Sequence, residues 1–319
     1  MCGFGTHRDN VSKLAKASGG RGFAVEYRLA PQAAFPSQLL DALNAYLYLL
    51  YPPEGAFHEA VPAGDVVLAG DSAGGNLSFA LMQLLLQMHR TKPSGASNPV
   101  VRYHGRDVEI PLPAGCTAAS GWFDITRSMP SLESNAKFDY LPAPNHDDAT
   151  SIFPHDDIWP TTPPRGDVFA DLSMLCHPLC SPLAAKDWSG SPPLWIMAGE
   201  ELLTDEDMIV AKRAASQGVT VRWEQYEAMP HVFNMLLPAL STSSQCYRSW
   251  GDFSRLCVEG GIKASATWIA AKTGEQTAVD IDRITDIKFE DALAMMKKNQ
   301  AKRVRGYEME GKMMPKPSL

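Results

Sequence analysis

The sequence predicts an α/β fold in which a mostly parallel sheet carries helices on both faces. Three observations support this prediction. Short apolar runs of strand length alternate along the chain with longer runs that carry apolar residues at helical spacing. Two of the strand-like runs, "VVLAG" and "PPLWIMAG", are apolar throughout, which is typical of strands buried on both faces. Glycine closes helix-like runs, as Gly218 does in "DEDMIVAKRAASQG".

The first part of the chain reads as helix, strand, helix, strand, helix. A helix is predicted over residues 8–17 and is followed by the strand "GFAVEYRL". "AFPSQLLDALNAYLYLLY" predicts a helix from near Pro36, because its leucines recur on one helical face. The strand "VVLAG" and a helix after Ser72 come next. "PVVRYHGRDVEIPLPAG" has little periodicity and is interpreted as an excursion or a short hairpin.

The second part continues the alternation and then loses it. "CTAASGW", "PPLWIMAG" and "VTVRWEQYEAM" are predicted strands, with a helix between the last two. Residues 125–191 are rich in proline, aspartate and serine and predict an insertion over an edge of the sheet. One or two helices are predicted over residues 244–272. We therefore expect one domain over residues 1–272, followed by a charged tail, 273–319, with a helix over 289–304.

The composition excludes several classes of function. With 29 basic and 36 acidic residues the formal net charge is −7, which argues against nucleic acid or an anionic membrane surface as the main partner. No apolar run reaches the length of a membrane span, and "MCGFGTHRDNVSKLAKASGG" lacks the apolar centre of a signal peptide. Six scattered cysteines without a C-x-x-C pair predict reduced thiols and a cytoplasmic location. Cys176 and Cys180 enclose His177, but no second ligand pair follows, so neither a metal nor a cofactor is predicted.

Ser72 stands at the centre of "GDSAG", between an apolar strand and a long helix. In this context G-x-S-x-G is typical of a nucleophile elbow, a tight turn that exposes the serine. The small residues around Ser72 suit such a turn, and the start of the helix favours developing negative charge. The alternative is a glycine-rich turn that binds a phosphate group or no ligand.

A nucleophilic serine needs a base that accepts its proton and an acid that orients the base. In a parallel sheet both are expected after the carboxyl ends of strands. His231 follows the strand "VTVRWEQYEAM"; the alternative is a surface histidine. Glu206 and Asp207 also suit the first turn of a helix as favourable charges. The loop after "PPLWIMAG" offers several carboxylates, among which spacing does not choose: Glu200, Glu201, Asp205, Glu206 and Asp207.

Several short stretches recur in one order over roughly residues 3 to 240: "YRLAP" followed by Phe35-Pro36, "GDSAGGNL", "SGWFDIT", "HPLCSPL", "LLTDE" and "MPHVF". Together they resemble the α/β-hydrolase fold and, within it, the hormone-sensitive-lipase-like esterase family. The resemblance implies a carboxylic-ester hydrolase with a lid near the active site. It implies Ser72 as nucleophile, Asp205 in "LLTDE" as acid and His231 as base. The backbone N–H of Ala73, the residue after the nucleophile, is then one donor to the oxyanion.

The family takes its other oxyanion donors from an H-G-G-G loop after an earlier strand, and the sequence shows neither the loop nor that strand. In this fold the strand lies inside the sheet, between "GFAVEYRL" and "VVLAG". We therefore expect an N-terminally truncated member that is poorly folded and nearly inactive as written, unless the two neighbours pair directly. Gly3 and Gly5 are the alternative source of donors.

Two other functions stay open at this point. One is a small-molecule-binding relative without catalysis, since a fold does not establish an activity. The other is an amidase or peptidase with the same triad. The expected partner is a small-molecule ester with a short acyl chain, and acetylated sterols or other secondary metabolites are the alternative. Apolar side chains in the insertion predict a pocket for an apolar acyl or alcohol group, or only packing onto the sheet: Phe138, Tyr140, Leu141, Ile152, Phe153, Ile158 and Trp159.

Overall fold

The computed structural model describes residues 4–142 and 167–313. Its strands are β1 (Val67–Asp71), β2 (Val100–Tyr103), β3 (Arg106–Glu109), β4 (Gly115–Ala119), β5 (Leu194–Gly199), β6 (Val221–Tyr226), β7 (Ser265–Ile269) and β8 (Gln276–Ala278). One sheet has the order β1-β4-β5-β6-β7-β8, and β2 pairs with β3 in a separate antiparallel hairpin. Neighbours from β1 to β7 are parallel, and β8 is antiparallel at the far edge. The mostly parallel sheet and the hairpin are confirmed.

The helices occupy most of the predicted helical runs. They are α1 (Phe4–Ser18), α2 (Ser37–Leu50), α3 (Ala73–Thr91), α4 (Ser131–Ser134), α5 (Thr204–Ser216), α6 (Phe233–Leu236), α7 (Ser241–Glu259) and α8 (Phe289–Met313). Across the described parts of the chain, none of these helices combines the length and the apolar character that crossing a bilayer requires.

The central strand β5 shows how the core is divided. All its residues are buried, and successive side chains of a strand point to opposite faces. Ile196 packs with residues of α3, α5 and α8, whereas Trp195 and Met197 pack with α7. On the α7 face, Gly251 allows close approach of α1, because a Cβ there would lie 2.5 Å from the carbonyl carbon of Ala17. Helices therefore cover both faces, as predicted.

The prediction of a strand in "GFAVEYRL" is wrong: residues 22–29 form no strand. A strand needs a neighbour for its hydrogen bonds. β1 is the edge strand of the sheet, and within the described ranges it pairs with β4 alone. Residues 22–29 therefore do not pair with β1. Phe23, Val25 and Leu29 are consequently 38–48% exposed. A cavity of about 2050 Å³ is lined by both segments.

The end of the chain also departs from the prediction. Of the one or two helices expected over residues 244–272, only α7 forms, and "SATWI" becomes β7 because it pairs with β6. The helix expected over 289–304 is confirmed as α8, whose Ala292 and Met296 are fully buried in the main core. The described part of the tail, including β8, is thus built into the sheet and the core rather than standing apart from them.

The insertion over residues 125–191 is described only at its two ends. Those ends hold α4 and short 3-10 turns. Leu141 packs against Leu132, Leu202 and Leu203, whereas Tyr140 is 55% exposed. Ile152, Phe153, Ile158 and Trp159 lie outside the described residues.

Candidate active site

Ser72 lies in the turn between β1 and α3. Its backbone has φ 51° and ψ −119°, a region that residues other than glycine rarely occupy. Three backbone hydrogen bonds hold this conformation. The N–H of Ser72 donates to the carbonyl of Ala119 (3.0 Å), and its own carbonyl accepts from Asn76 (3.0 Å) and Trp122 (3.1 Å). The strained turn has the shape of a nucleophile elbow.

The glycines around Ser72 are not equally necessary. A Cβ at Gly70 would lie 2.1 Å from the carbonyl oxygen of Gly74, and a Cβ at Gly75 would lie 3.2 Å from the Cβ of Ala118. Gly74 itself has open space where a side chain would stand. The tight turn therefore requires a glycine at Gly70 above all.

Ala73 is exposed and is the first residue of α3. The N–H groups in the first turn of a helix have no acceptor within the helix. The N–H of Ala73 therefore stands beside Ser72 at the positive end of α3. Of the two glycines considered as substitute donors, Gly5 lies in the first turn of α1 and Gly3 lies outside the described residues.

His231 lies in the loop after β6 and is only 3% exposed, so it is not a surface histidine. Its Nδ1 donates a hydrogen bond to Oε2 of Glu201. Burial lowers the pKa of His231. The negative charges of Glu201, Asp139 and Asp71 and the bond to Glu201 outweigh that effect and raise the pKa above its ordinary value.

The resemblance implies Asp205 as the acid, but the carboxylate that contacts His231 in the structure belongs to Glu201. Glu201 is fully buried, two residues beyond the end of β5, and its Oε1 accepts from the N–H of Gly199 (3.1 Å). Asp205 already belongs to α5, which begins at Thr204, and its Oδ2 accepts from the N–H of Ser131 (2.7 Å). The early start of α5 directs Asp205 towards α4 and away from His231.

The remaining carboxylates of this loop have other partners. Glu200 accepts from the N–H of Ala228 at 2.9 Å. Glu206 and Asp207 are fully buried rather than solvated helix charges. Their oxygens accept from the backbone N–H groups of the loop after β4: Phe123 (2.6 Å) and Asp124 (3.1 Å) for Glu206, Gly121 (3.1 Å) for Asp207. They therefore support the loop that carries Trp122 beside Ser72.

The loop that carries His231 reaches back across the sheet towards Ser72. The N–H of Val232 donates to Oγ of Ser120 at 3.1 Å, and Ser120 directly follows the residue that bonds Ser72. Val232 and Ser120 both have positive φ, 46° and 53°, which is rare for such residues. Within the described parts of the chain, neither Oγ of Ser72 nor Nε2 of His231 has a hydrogen-bond partner. The base–acid contact is thus formed and the serine–base contact is not; such contacts often tighten only when substrate binds.

Ser72 opens onto the cavity that runs along β1. Trp122, Met129 and Leu132 contribute apolar wall. The cavity volume of about 2050 Å³ exceeds the roughly 300–1,000 Å³ of ordinary small-molecule sites. The edge of β1 with which no described residue pairs lines the same cavity.

Sequence reasoning missed several residues that organise the site. Thr204 fixes the acid loop, because its Oγ1 accepts from the N–H of Glu201 (2.9 Å) and donates to the carbonyl of Gly199 (2.9 Å). Ser120 and Asp139 bond the base loop. The bonds of Thr204 are local. No local pattern marks Ser120 and Asp139, since the residues that they bond in the base loop lie 112 and 92 positions away in the chain.

Comparison with known proteins places these features in a family. A family profile described as alpha/beta hydrolase fold matches residues 1–235. The chain belongs to this family. The acetyl-hydrolase of Streptomyces hygroscopicus is 30% identical over 259 residues, which are 81% of this chain and 72% of the relative. An esterase of Acinetobacter venetianus is 25% identical over 251 residues, 78% of this chain and 69% of the relative.

Solved structures agree with this membership. The crystal structure of an esterase from the bacterial hormone-sensitive lipase family superimposes with a TM-score of 0.62 at 29% identity, covering 81% of this chain and 73% of that one. The resemblance to hormone-sensitive-lipase-like esterases is therefore confirmed. This α/β-hydrolase is carboxylesterase-like.

Proposed function

We propose that this α/β-hydrolase cleaves carboxylic esters of small molecules, with Ser72 as nucleophile, His231 as general base and Glu201 as the orienting acid. The observation that carries the proposal is the buried Glu201–His231 pair at the edge of the sheet where the strained turn presents Ser72. The relatives named acetyl-hydrolase and esterase support an ester as the substrate.

The reaction uses the side chains in sequence. Nε2 of His231 accepts the proton of Ser72 while Oγ attacks the ester carbonyl, and Glu201 holds the Nδ1 proton and stabilises the imidazolium. The oxyanion develops beside the N–H of Ala73. The alcohol leaves with the proton from His231, and water then cleaves the acyl-enzyme through the same base.

The substrate we propose combines a short acyl group with an apolar alcohol. The apolar walls that Trp122, Met129 and Leu132 give to the cavity suit the alcohol. The name of the acetyl-hydrolase relative supports a short acyl group.

Hydrolysis of p-nitrophenyl butyrate by the full 319-residue chain tests the proposal, with Ser72→Ala as the control. We expect slow turnover in the wild type, because Ala73 is the single oxyanion donor assigned, and its loss in Ser72→Ala, while circular dichroism shows both proteins folded. Turnover that survives in Ser72→Ala contradicts the nucleophile. A p-nitroanilide of the same acyl group, assayed in parallel, distinguishes an amidase.

A binding protein without turnover is the second candidate. The observation that favours it is the missing hydrogen bond between Ser72 and His231, together with a single assigned oxyanion donor, Ala73. A folded wild type that binds an apolar ester without hydrolysing it would establish this function instead.

A further inference from the structure

Asp139 joins three loops at the active-site edge of the sheet. Its Oδ1 accepts the backbone N–H groups of Tyr140 (2.8 Å), Leu141 (3.2 Å) and His231 (3.3 Å). Its Oδ2 accepts the N–H of Leu202 at 2.9 Å. Two of these bonds lie within the loop of Asp139 itself. The other two reach the candidate base and the residue that directly follows Glu201.

These bonds hold the two loops whose relative position determines the contact between Glu201 and His231. Glu201 follows β5 and His231 follows β6, so the acid and the base sit on separate loops beyond the ends of their strands. Hydrogen bonds to an ionised carboxylate are about twice as strong as neutral ones. A misplacement of about 1 Å at a reacting group can cost about 100-fold in rate. A carboxylate bonded to both loops therefore sets how Glu201 meets His231.

The charge of Asp139 also acts on His231. Three carboxylates face the imidazole from three elements: Glu201 after β5, Asp139 after α4 and Asp71 at the end of β1. Burial lowers the pKa of His231, and these charges together raise it by more, with Glu201 contributing most. The ring of Tyr140 lies beside them, with its centroid 6.4 Å from that of the imidazole.

We propose that Asp139 is a positioning residue of the esterase site, which sets the geometry of the Glu201–His231 pair by clamping the two loops that carry it. The inference rests on the proposed function, in which that pair activates Ser72. Asp139 acts through Glu201 and His231 and does not itself exchange a proton.

Asp139→Asn tests this role, and Asp171→Asn is the matched control. Asparagine keeps the size and one acceptor oxygen, but it removes the charge and turns an NH₂ group towards a backbone N–H. Asp171 also caps a turn, accepting from the N–H (2.9 Å) and Oγ (2.6 Å) of Ser173, but it is exposed and bonds only locally. If Asp139→Asn does not fold, Asp139→Ser retains a local cap for Tyr140 but is too short to bond Leu202.

We expect kcat for p-nitrophenyl butyrate to fall about 10- to 100-fold in Asp139→Asn, with KM changed by less than about threefold. The acid limb of kcat/KM moves to lower pH, because one negative charge beside His231 is gone. Asp171→Asn matches the wild type in all three quantities. Titration of Ser72 with a fluorophosphonate gives the active fraction, so that unfolded protein is not counted as slow enzyme.

Two kinetic results overturn the proposal. An unchanged kcat per active site shows that the clamp is dispensable, and a lower kcat with an unmoved acid limb leaves Asp139 a merely structural role. NMR provides a readout without turnover: the Nδ1 proton of His231, assigned by its loss in His231→Gln, is expected far downfield and shifts or exchanges faster in Asp139→Asn. An unchanged signal also overturns the proposal. If the wild type has no esterase activity but its Nδ1 proton signal still changes in Asp139→Asn, the proposed function is refuted and the role of Asp139 as a clamp stands.

Discussion

Oε2 of Glu201 contacts Nδ1 of His231 in a pair that is almost completely removed from solvent, with Glu201 0% and His231 3% exposed. The other carboxylate oxygen is held by the N–H of Gly199. Because Nδ1 carries the proton that Glu201 accepts, Nε2 of His231 is left as the proton acceptor.

Glu201→Gln is expected to lower kcat about 100- to 10,000-fold with little change in KM, because an amide cannot hold the same tautomer of His231. Asp205→Asn is the matched control, four residues further along and bonded to Ser131 instead. It is expected to keep kcat within about threefold. Steady-state kinetics of both variants decide the point, and equal losses would contradict the assignment of the acid.

The activity is expected to require a higher pH than it would if His231 had the pKa of an ordinary histidine. Glu201 and its neighbours raise the pKa of His231, and the reaction uses the neutral imidazole, so kcat/KM rises as pH passes upward through that raised value. The midpoint therefore lies above about 6.5. A profile measured from pH 5 to 9 checks this, and a midpoint below the ordinary value would be incompatible with the charged pair.

The stability of the fold is expected to fall as pH rises above about 4.5, in part through Glu206 and Asp207. Burial, with repulsion from neighbouring carboxylates, raises the pKa of both groups well above the ordinary value. The folded state then keeps protons that the unfolded chain releases, so the free energy of unfolding decreases with pH until the raised values are passed. Each group contributes up to about 1.4 kcal/mol per pH unit.

Urea unfolding of Glu206→Gln between pH 5 and 8 measures this effect. The glutamine variant should lose less stability across the range than the wild type, since it releases no proton. Glu54→Gln changes an exposed glutamate and should leave the slope as it is. If the free energy of unfolding changed with pH equally in the wild type and in Glu206→Gln, the carboxyl of Glu206 would not be neutral in the folded protein.

Gly70→Ala and Gly74→Ala are expected to differ sharply although they lie in the same turn. The new Cβ at Gly70 would meet the backbone of Gly74 at 2.1 Å, whereas the one at Gly74 meets nothing within 4 Å. We expect Gly70→Ala to lose several kcal/mol of stability or fail to fold. Gly74→Ala should be neutral or stabilising by about 0.5–1 kcal/mol, because the position is helical. Thermal unfolding compares the two.

The free edge of β1 is expected to exchange its amide protons rapidly. The carbonyl of Val66 and the N–H of Ser72 form hydrogen bonds on the side of β1 that faces β4. In a strand, the backbone groups of every second residue point to the same side, so every second residue between Val66 and Ser72 also points towards β4. The amides of Val67 and Ala69 face the cavity instead, and no residue of the described ranges pairs with that edge. Hydrogen exchange should be about 100-fold faster at these two amides than at Leu68. Equal protection would mean that another strand covers the edge.

Much of this fold was predictable because its signals are local. An apolar run, a turn of small residues around Ser72 and a long amphipathic run identify β1, the elbow and α3 without reference to the rest of the chain. The same holds for β5, α5 and β6, and the position of His231 after β6 followed from the order of these elements.

The errors occur where distant partners decide. "GFAVEYRL" alternates like a strand, but strand formation needs hydrogen bonds from a neighbour, and β1 does not supply them. "SATWI" has a weak local signal and becomes β7 because β6 offers it an edge, with Ile269 opposite Tyr226.

The sequence by itself determined the alternation of strands and helices, the strained turn at Ser72 and the placement of His231 beyond a strand of the sheet. The tertiary structure alone decided that Glu201 rather than Asp205 meets His231 and that Asp139 bonds both loops. Five carboxylates follow β5 within eight positions, and composition does not distinguish them. Their directions depend on where α5 begins and on hydrogen bonds to residues 28 to 86 positions away, which no local pattern encodes.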